Sequence, residues 1–232
     1  MVYVPQNRFW IDTSDNQPCI GTGGMIPWKL HATGKLFHSG LAHKAINPLE
    51  LAMEALKEIQ LRFYKDFPPH PKEEDYVFAT PSTMKPTQWS YPGGGINQIP
   101  AECTIAGDVR LTPFYSVSDV RKKLQDYVED INQNIENLDC RDHVSKYVLP
   151  DENLRGRITI SFDAAISGVA CNLESPGFRV LCKATEEDEG FDVQTTGYGL
   201  LSTCHAKNEY CLLSDMCQGY QVFASIIAQL ED

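Results

Sequence analysis

The sequence predicts an α/β protein built around a ferredoxin-like lid, in which two helices cover one face of an antiparallel sheet. Two long segments carry apolar residues at helical spacing, and four shorter segments have the pattern of half-buried strands. Along the chain their order is strand, helix, strand, strand, helix, strand. This order is the β-α-β-β-α-β arrangement of a ferredoxin-like sandwich.

The first strand and the first helix are predicted within residues 28–64, with the helix at 48–64. Residues 28–33 alternate apolar and polar side chains, and the segment continues through Gly34 into residues 36–38. Asn47 can accept hydrogen bonds from the first-turn amides of a helix, and Pro48 suits the first helical position. The predicted apolar stripe of this helix contains Leu49, Ala52, Met53, Leu56, Ile59 and Phe63.

The second half of the lid follows a proline-rich segment at 67–74, which cannot continue the helix. Strands are expected at 85–91 and 103–111, a helix capped by Ser116, and a last strand at 157–162. Because side chains alternate along a strand, the second of these strands presents two different faces. Ile105, Val109 and Leu111 share one face, and Thr104, Asp108 and Arg110 share the other.

Three segments are expected along the chain. Residues 23–164 form the lid, and residues 1–22 and 165–232 lie on either side of it in the sequence. The last segment contains an acidic loop at 186–189 and a final amphipathic helix. The apolar residues of that helix are Tyr220, Phe223, Ile226, Ile227 and Leu230.

Composition excludes several classes of protein. The 232 residues are 42% hydrophobic and 22% charged, which is typical of a globular chain, and the net charge is −11. This acidity argues against nucleic acid as a partner, and the sequence has no apolar run long enough to cross a membrane. The eight cysteines form no C-x-x-C pair, so we expect reduced thiols in a cytoplasmic protein.

A zinc site made of cysteines is a weaker alternative. Cys204, Cys211 and Cys217 lie close to His205 in the sequence, but their spacings match no familiar zinc module.

Five residues are candidates for chemistry, and each also has an ordinary structural interpretation. His38 suits a surface or capping position, and Asn97 suits a turn. Arg110 and the nearby Asp108 are expected to form an ion pair on one strand face. His205 is a weak ligand candidate in a loop, and Asp12 at a strand end is either a ligand or a cap. Taken singly, these residues do not decide between the two interpretations.

Taken together, three segments resemble a known family. Residues 34–52 read GKLFHSGLAHKAINPLELA, residues 97–100 read NQIP and are followed by GDVR at 107–110, and residues 205–210 read HAKNEY. These resemble the signatures of the acetylornithine deacetylase, succinyl-diaminopimelate desuccinylase and aminoacylase family of metallohydrolases. Residues 11–30 and 79–89 are similar to the plant-type acetylornithine deacetylase branch, and the resemblance covers nearly the whole chain.

The resemblance implies an activity and its requirements. The expected reaction is metal-dependent hydrolysis of N-acetyl-L-ornithine to L-ornithine and acetate in arginine biosynthesis. The expected ligands are two divalent metal ions, Zn²⁺ or Co²⁺, and a small N-acyl amino acid substrate. The expected assembly is a homodimer formed through an edge strand and a helix of the lid.

The resemblance also implies a role for each of the five residues. His38 is expected to reach the partner subunit's site and stabilise the oxyanion, with no role in its own subunit. Asn97 and Arg110 are expected to hold the substrate. His205 is expected to bind a metal ion, and so is Asp12, although the family has Glu-Pro-Thr where this sequence has Asp12-Thr13-Ser14.

The sequence departs from the family in what it lacks. It has no His-x-Asp segment, and its two Glu-Glu pairs, at 73–74 and 186–187, read as solvated charge, so no general base is found. The resemblance then implies that residues 1–22 are the end of an N-terminal catalytic segment and residues 165–232 the C-terminal part of the catalytic domain. We therefore expect a fragment or truncated form that binds metal weakly and is inactive alone. The alternative is a non-catalytic dimerisation or ligand-binding module that has lost the chemistry.

Overall fold

The computed structural model describes residues 20–76, 78, 80–139, 147–189, 207, 210 and 212–231. The chain divides into two compact units. The larger unit contains residues 23–73 and 78–168, and the other contains the described residues of 1–22, 74–77 and 169–232.

The described strands and helices have the following bounds. The strands are β1 (Gly21–Thr22), β2 (Gly24–Thr33), β3 (Phe37–His38), β4 (Thr83–Ser90), β5 (Gln98–Ile99), β6 (Glu102–Leu111), β7 (Val148–Leu149), β8 (Leu154–Arg155), β9 (Arg157–Phe162) and β10 (Val169–Ala170). The α-helices are α1 (Pro48–Asp66), α2 (Glu73–Tyr76), α3 (Val117–Gln133), α4 (Pro176–Glu189) and α5 (Leu213–Glu231). Short 3₁₀ helices cover Ser39–Lys44, Ile135–Asn137 and Pro150–Glu152.

The larger unit is the predicted ferredoxin-like lid. Its four-stranded sheet has the order β4-β6-β2-β9, and every pair is antiparallel. Strands β2 and β6 pair along their full length, from Gly24 opposite Leu111 to Thr33 opposite Glu102. Helices α1 and α3 pack against each other and against this sheet. The prediction of an α/β fold with a β-α-β-β-α-β lid is therefore confirmed.

The two helix caps differ from each other. The side chain of Asn47 accepts a hydrogen bond from the Leu49 amide at 3.1 Å, and Pro48 begins α1, as predicted. Ser116 occupies the N-cap position of α3, but its hydroxyl lies 2.7 Å from the Ser118 hydroxyl and makes no capping bond. The prediction that Ser116 caps α3 is therefore wrong as regards the hydrogen bond. Its hydroxyl is hydrogen-bonded to the Ser118 hydroxyl instead of to a backbone amide of the helix.

The lid core lies between the sheet and the two helices. From the sheet it contains the fully buried Trp28 and Val109, and the predicted alternation of β6 is confirmed because Ile105 and Leu111 are buried with Val109. The buried side of α1 also includes Leu51 and Ala55, so it lies slightly to one side of the predicted stripe. The Trp28 ring packs directly against Gly107, and a Cβ at position 107 would clash with it at 2.7 Å from Cζ2.

The second unit is described over less of its length. Strand β1 pairs with β10, and α4 packs against α5 through Leu181, Ala184, Val222 and Ile226. Of the five apolar residues predicted for the last helix, Ile226 is buried, whereas Tyr220, Ile227 and Leu230 are exposed. Among the described helices, none has the length and hydropathy required to cross a membrane.

Candidate functional site

His38 lies where β3 ends and a 3₁₀ helix begins. It pairs with Gln98 of β5 and occupies the N-cap position of the 39–44 helix, with an extended backbone (φ −67°, ψ 129°). Its Nδ1 accepts a hydrogen bond from the Gly40 amide at 3.0 Å. The expectation that His38 has no role in its own subunit is therefore wrong, because its ring caps this short helix.

Asn97 lies directly beside His38. Its Nδ2 is 3.2 Å from Nε2 of His38, and its backbone carbonyl accepts a hydrogen bond from the Ser39 amide at 2.9 Å. Both side chains belong to exposed residues. Two residues that are 59 positions apart in the sequence thus form one exposed pair.

The loop that carries Asn97 depends on glycine. Gly93 and Gly94 have φ angles of +88° and +138°, which side chains other than glycine rarely adopt. The next apolar residue, Ile96, is fully exposed at the tip of this loop. The loop therefore presents Ile96 and Asn97 outward from the lid.

Arg110 lies on the sheet face opposite the core. Its Nε donates to Oδ2 of Asp108 at 2.7 Å, so the ion pair expected from the sequence is present. The Arg110 side chain is 62% exposed. Within the part of the chain that the structure describes, its terminal Nη1 and Nη2 have no acceptor, and such a guanidinium edge can bind a carboxylate through two hydrogen bonds.

The structure does not bring Arg110 to the His38–Asn97 pair. Arg110 is opposite Met25 at one end of β6, and Asn97 precedes the other end, which begins at Glu102. Eight residues of extended strand correspond to ~26 Å. Within one subunit, Asn97 and Arg110 therefore cannot hold the same small molecule.

The expected metal ligands cannot be placed relative to these residues. Asp12 and His205 fall outside the described residues, as do Cys204 and Cys211 of the alternative zinc site. Over the described ranges, no group of three or more His, Cys, Asp or Glu residues could hold a metal ion. The described residues therefore do not form the expected two-metal centre.

The comparison with protein families decides the family. The sequence profile named "Peptidase dimerisation domain", of the M20 group, matches residues 20–136. The chain belongs to this family. The matched region includes both His38 and Asn97, and also Arg110.

Two curated relatives match almost all of the chain. The acetylornithine deacetylase of Arabidopsis thaliana is 71% identical over 96% of this chain, and that of Dictyostelium discoideum is 45% identical over 96%. The chain spans 56% of the length of each of these relatives.

Solved structures of low sequence identity have the same fold. The di-peptidase Dug1p of Saccharomyces cerevisiae has a TM-score of 0.63 at 12% identity, covering 95% of this chain and 57% of its own. An M20 family metallo-carboxypeptidase of Sulfolobus solfataricus has a TM-score of 0.60 at 14% identity, covering 90% of this chain and 59% of its own.

Gly40 belongs to the site but is not among the candidate residues identified from the sequence. The Gly40 amide binds the His38 ring, and a Cβ at position 40 would lie 3.1 Å from Nδ1. The contact depends on the orientation of the His38 ring, so no sequence signal could have identified Gly40.

Proposed function

We propose that this chain is the lid-bearing part of a metal-dependent hydrolase that converts N-acetyl-L-ornithine to L-ornithine and acetate, a step of arginine biosynthesis. The observation that carries the proposal is the 71% identity to the Arabidopsis acetylornithine deacetylase over 96% of the chain. The exposed His38–Asn97 pair supports it, because an imidazole N–H is a suitable donor to the oxyanion of a scissile amide.

The proposed enzyme is a homodimer in which each site takes groups from both subunits. His38 and Asn97 reach the partner subunit's site, and Arg110 binds the substrate carboxylate in its own. The ~26 Å between the two ends of β6 supports this division, because it exceeds the length of an N-acyl amino acid. A two-fold axis would bring opposite ends of two sheets to one site.

The two edges of the sheet support β4 as the dimer edge. On β9, the backbone N–H and C=O of Ile158 are both occupied by the side chain of Asn132. On β4, the side chains of Gln60 and Tyr64 from α1 form hydrogen bonds with the backbone of Met84 only. The segment from Pro86 to Ser90 is exposed. An exposed edge of this kind pairs readily with another strand.

A groove beside this edge supports a second copy of the chain as its occupant. The groove has a volume of about 360 Å³, lies between α1 and β4, and contains both apolar and polar side chains. Its lining residues are Met53, Leu56, Lys57, Gln60, Pro86, Thr87, Gln88, Trp89 and Ile105. It adjoins the exposed half of β4, so one partner could cover both.

The chemical roles assigned to this chain are limited to positioning and charge. His38 donates a hydrogen bond to the developing oxyanion, and Arg110 pairs with a carboxylate. Two divalent ions, Zn²⁺ or Co²⁺, supply the activated water when bound. From this chain, His205 and Asp12 are the proposed ligands, and we propose that they hold metal only weakly by themselves.

The proposal includes a cytoplasmic location. Two cysteines of the described part, Cys103 and Cys217, are free thiols, which is the usual state in a reducing compartment. The second candidate function is a non-catalytic dimerisation or ligand-binding module. The match of residues 20–136 to a dimerisation domain favours it for this chain in isolation.

A rescue experiment tests the proposed activity with the chain as it is. The Arabidopsis relative is first inactivated by an alanine substitution at the position that aligns with His38. We expect this 232-residue chain alone to show no deacetylation, and its addition to restore turnover by placing His38 in the relative's site. His38→Ala should abolish the rescue, and the neighbouring exposed His43→Ala should not. A mixed dimer without restored turnover would contradict the proposal.

Analytical ultracentrifugation tests the dimer separately. We expect the chain to sediment as a dimer at micromolar concentration. Thr87→Glu places charge in the groove beside β4 and should shift the protein toward monomer, because two copies would bury that charge. Thr159→Glu on the opposite edge strand is the matched control and should leave the dimer intact. A monomer at all concentrations would overturn the assembly.

A further inference from the structure

We propose that Gly40 and Asn97 are positioning residues, which together hold the neutral His38 ring with its proton on Nε2. The inference rests on the proposed function, since it concerns the nitrogen that would donate to the oxyanion. It also adds a requirement that the resemblance does not supply, namely a fixed tautomer. The contacts that impose it all come from the lid itself.

The Gly40 amide fixes one nitrogen of the ring. Its N–H donates to Nδ1 of His38 at 3.0 Å, so Nδ1 must carry a lone pair. A neutral imidazole has one N–H and one acceptor nitrogen, and the proton therefore resides on Nε2. A Cβ at position 40 would lie 3.1 Å from Nδ1 and 3.2 Å from Cε1, so any residue other than glycine would push the ring a few tenths of an ångström from this position.

Asn97 holds the other nitrogen. Its carboxamide lies 3.2 Å from Nε2 and is anchored there by the backbone bond from the Ser39 amide to the Asn97 carbonyl. With the proton on Nε2, the group facing it must be an acceptor, so the carboxamide presents Oδ1 after a half-turn about its terminal bond. Asn97 then accepts from Nε2–H in the resting subunit.

For the reaction, the consequence is that the Nε2–H group of His38 is oriented before the substrate binds. A substrate carbonyl oxygen takes the place of Asn97 Oδ1 as acceptor, and the ring keeps its proton and its direction. A donor that is held in place before reaction incurs no reorganisation at the moment when charge develops. Asn97 thus acts on the oxyanion through His38, in addition to its proposed contact with substrate.

Nitrogen NMR of the substrate-free chain tests this inference. In the 232-residue chain labelled with ¹⁵N-histidine, we expect the neutral His38 ring to show only the Nε2–H tautomer. The signals are assigned by their absence in His38→Ala, and His43→Ala is the control that leaves them unchanged. A dominant Nδ1–H tautomer would overturn the inference, since Asn97 would then donate to Nε2 and Gly40 could not donate to Nδ1.

Two substitutions separate the two contacts. Gly40→Ala should produce a measurable population of the Nδ1–H tautomer, because the added Cβ displaces the ring. Asn97→Asp retains an acceptor and removes the donor, so the Nε2–H tautomer should persist in this variant. Loss of that tautomer in Asn97→Asp would contradict the inference, because an acceptor facing Nε2 would then fail to hold the proton there.

The rescue assay distinguishes positioning from substrate binding alone. Asn97→Leu should lower kcat by on the order of 10- to 100-fold, in addition to any rise in KM from the lost substrate contact, because the ring loses its orientation. If Asn97→Leu raised only KM and the His38 ring still showed only the Nε2–H tautomer, the positioning role would be overturned. The tautomer is measured without substrate. The NMR result therefore tests the inference even if the proposed deacetylase activity is not found.

Discussion

The side chain of Asn132 forms two hydrogen bonds with the backbone of Ile158, one to its carbonyl at 2.8 Å and one from its amide at 2.9 Å. A helix side chain thereby takes the place of a neighbouring strand at the β9 edge. Edge strands that lack such cover present unpaired backbone groups to other chains.

Asn132→Leu should destabilise the lid and expose the β9 edge. The loss of two hydrogen bonds to partly buried groups should lower the free energy of unfolding by about 1–3 kcal/mol, measured by urea denaturation. The variant should also form concentration-dependent species larger than the dimer. Gln133→Ala, at the exposed neighbouring position, is the control. Unchanged stability and assembly in Asn132→Leu would contradict the role assigned to this side chain.

Gly107→Ala should disrupt the pairing of β4 with β6. A Cβ at this position would overlap the Lys85 carbonyl oxygen and lie 2.7 Å from the Trp28 ring, and a backbone oxygen cannot move without moving its strand. We expect a loss of about 2–4 kcal/mol in unfolding free energy, or no folded protein. Gly23→Ala is the matched control, since its nearest contact would be an ordinary 3.5 Å. Equal stabilities for the two variants would refute the packing argument.

Asp66 should make the lid less stable in acid. Hydrogen bonds from Lys123 and Tyr127 lower the pKa of its carboxyl below the ordinary 3.8. The ionised form is therefore favoured in the folded state, and its contribution is present above pH 3.8 and lost as pH falls through the lower folded value. Thermal unfolding between pH 7 and 3 should show a smaller decline for Asp66→Asn. An identical decline would exclude this carboxyl as a contributor.

Cys103 should be unreactive in the folded protein and should lower stability in alkali. Its thiol is 1% exposed and donates to the Pro48 carbonyl at 3.1 Å. Burial raises the pKa of the thiol from 9.0 to about 11, so folding favours the neutral form. That contribution, about 2–3 kcal/mol, is complete below pH 9.0 and is lost as pH rises toward 11.

Mass spectrometry after brief thiol alkylation checks the first part of this prediction. The exposed Cys217 should be modified rapidly, and Cys103 only when the lid unfolds. Comparing the alkaline unfolding of Cys103→Ala with that of the original chain checks the second part. Rapid alkylation of Cys103 under native conditions would contradict both.

The lid could be predicted from the sequence because its local signals agree with its tertiary pairing. The Asn47–Pro48 cap and the apolar stripes lie where the structure has helices. Strand β2 begins at Gly24, four residues before the predicted start, because pairing with β6 overrides the poor strand propensity of Gly24 and Pro27.

The candidate site was less accessible to prediction from the sequence. Resemblance named His38 and Asn97, but only the tertiary structure shows their contact, since it depends on the pairing of β3 with β5. The separation of Asn97 from Arg110 follows from strand geometry, because most of the residues between them belong to one extended strand. The Gly40 contact depends on a ring orientation that no sequence pattern specifies.

The distance between His38 and Arg110 has a genetic consequence in the proposed dimer. A subunit that lacks His38 still offers Arg110 to its own site, and a subunit that lacks Arg110 still offers His38 across the two-fold axis. When two such subunits associate, one site has both defects and the other has neither. Two alleles of the complete gene, each inactive when alone, would therefore complement each other in the same cell.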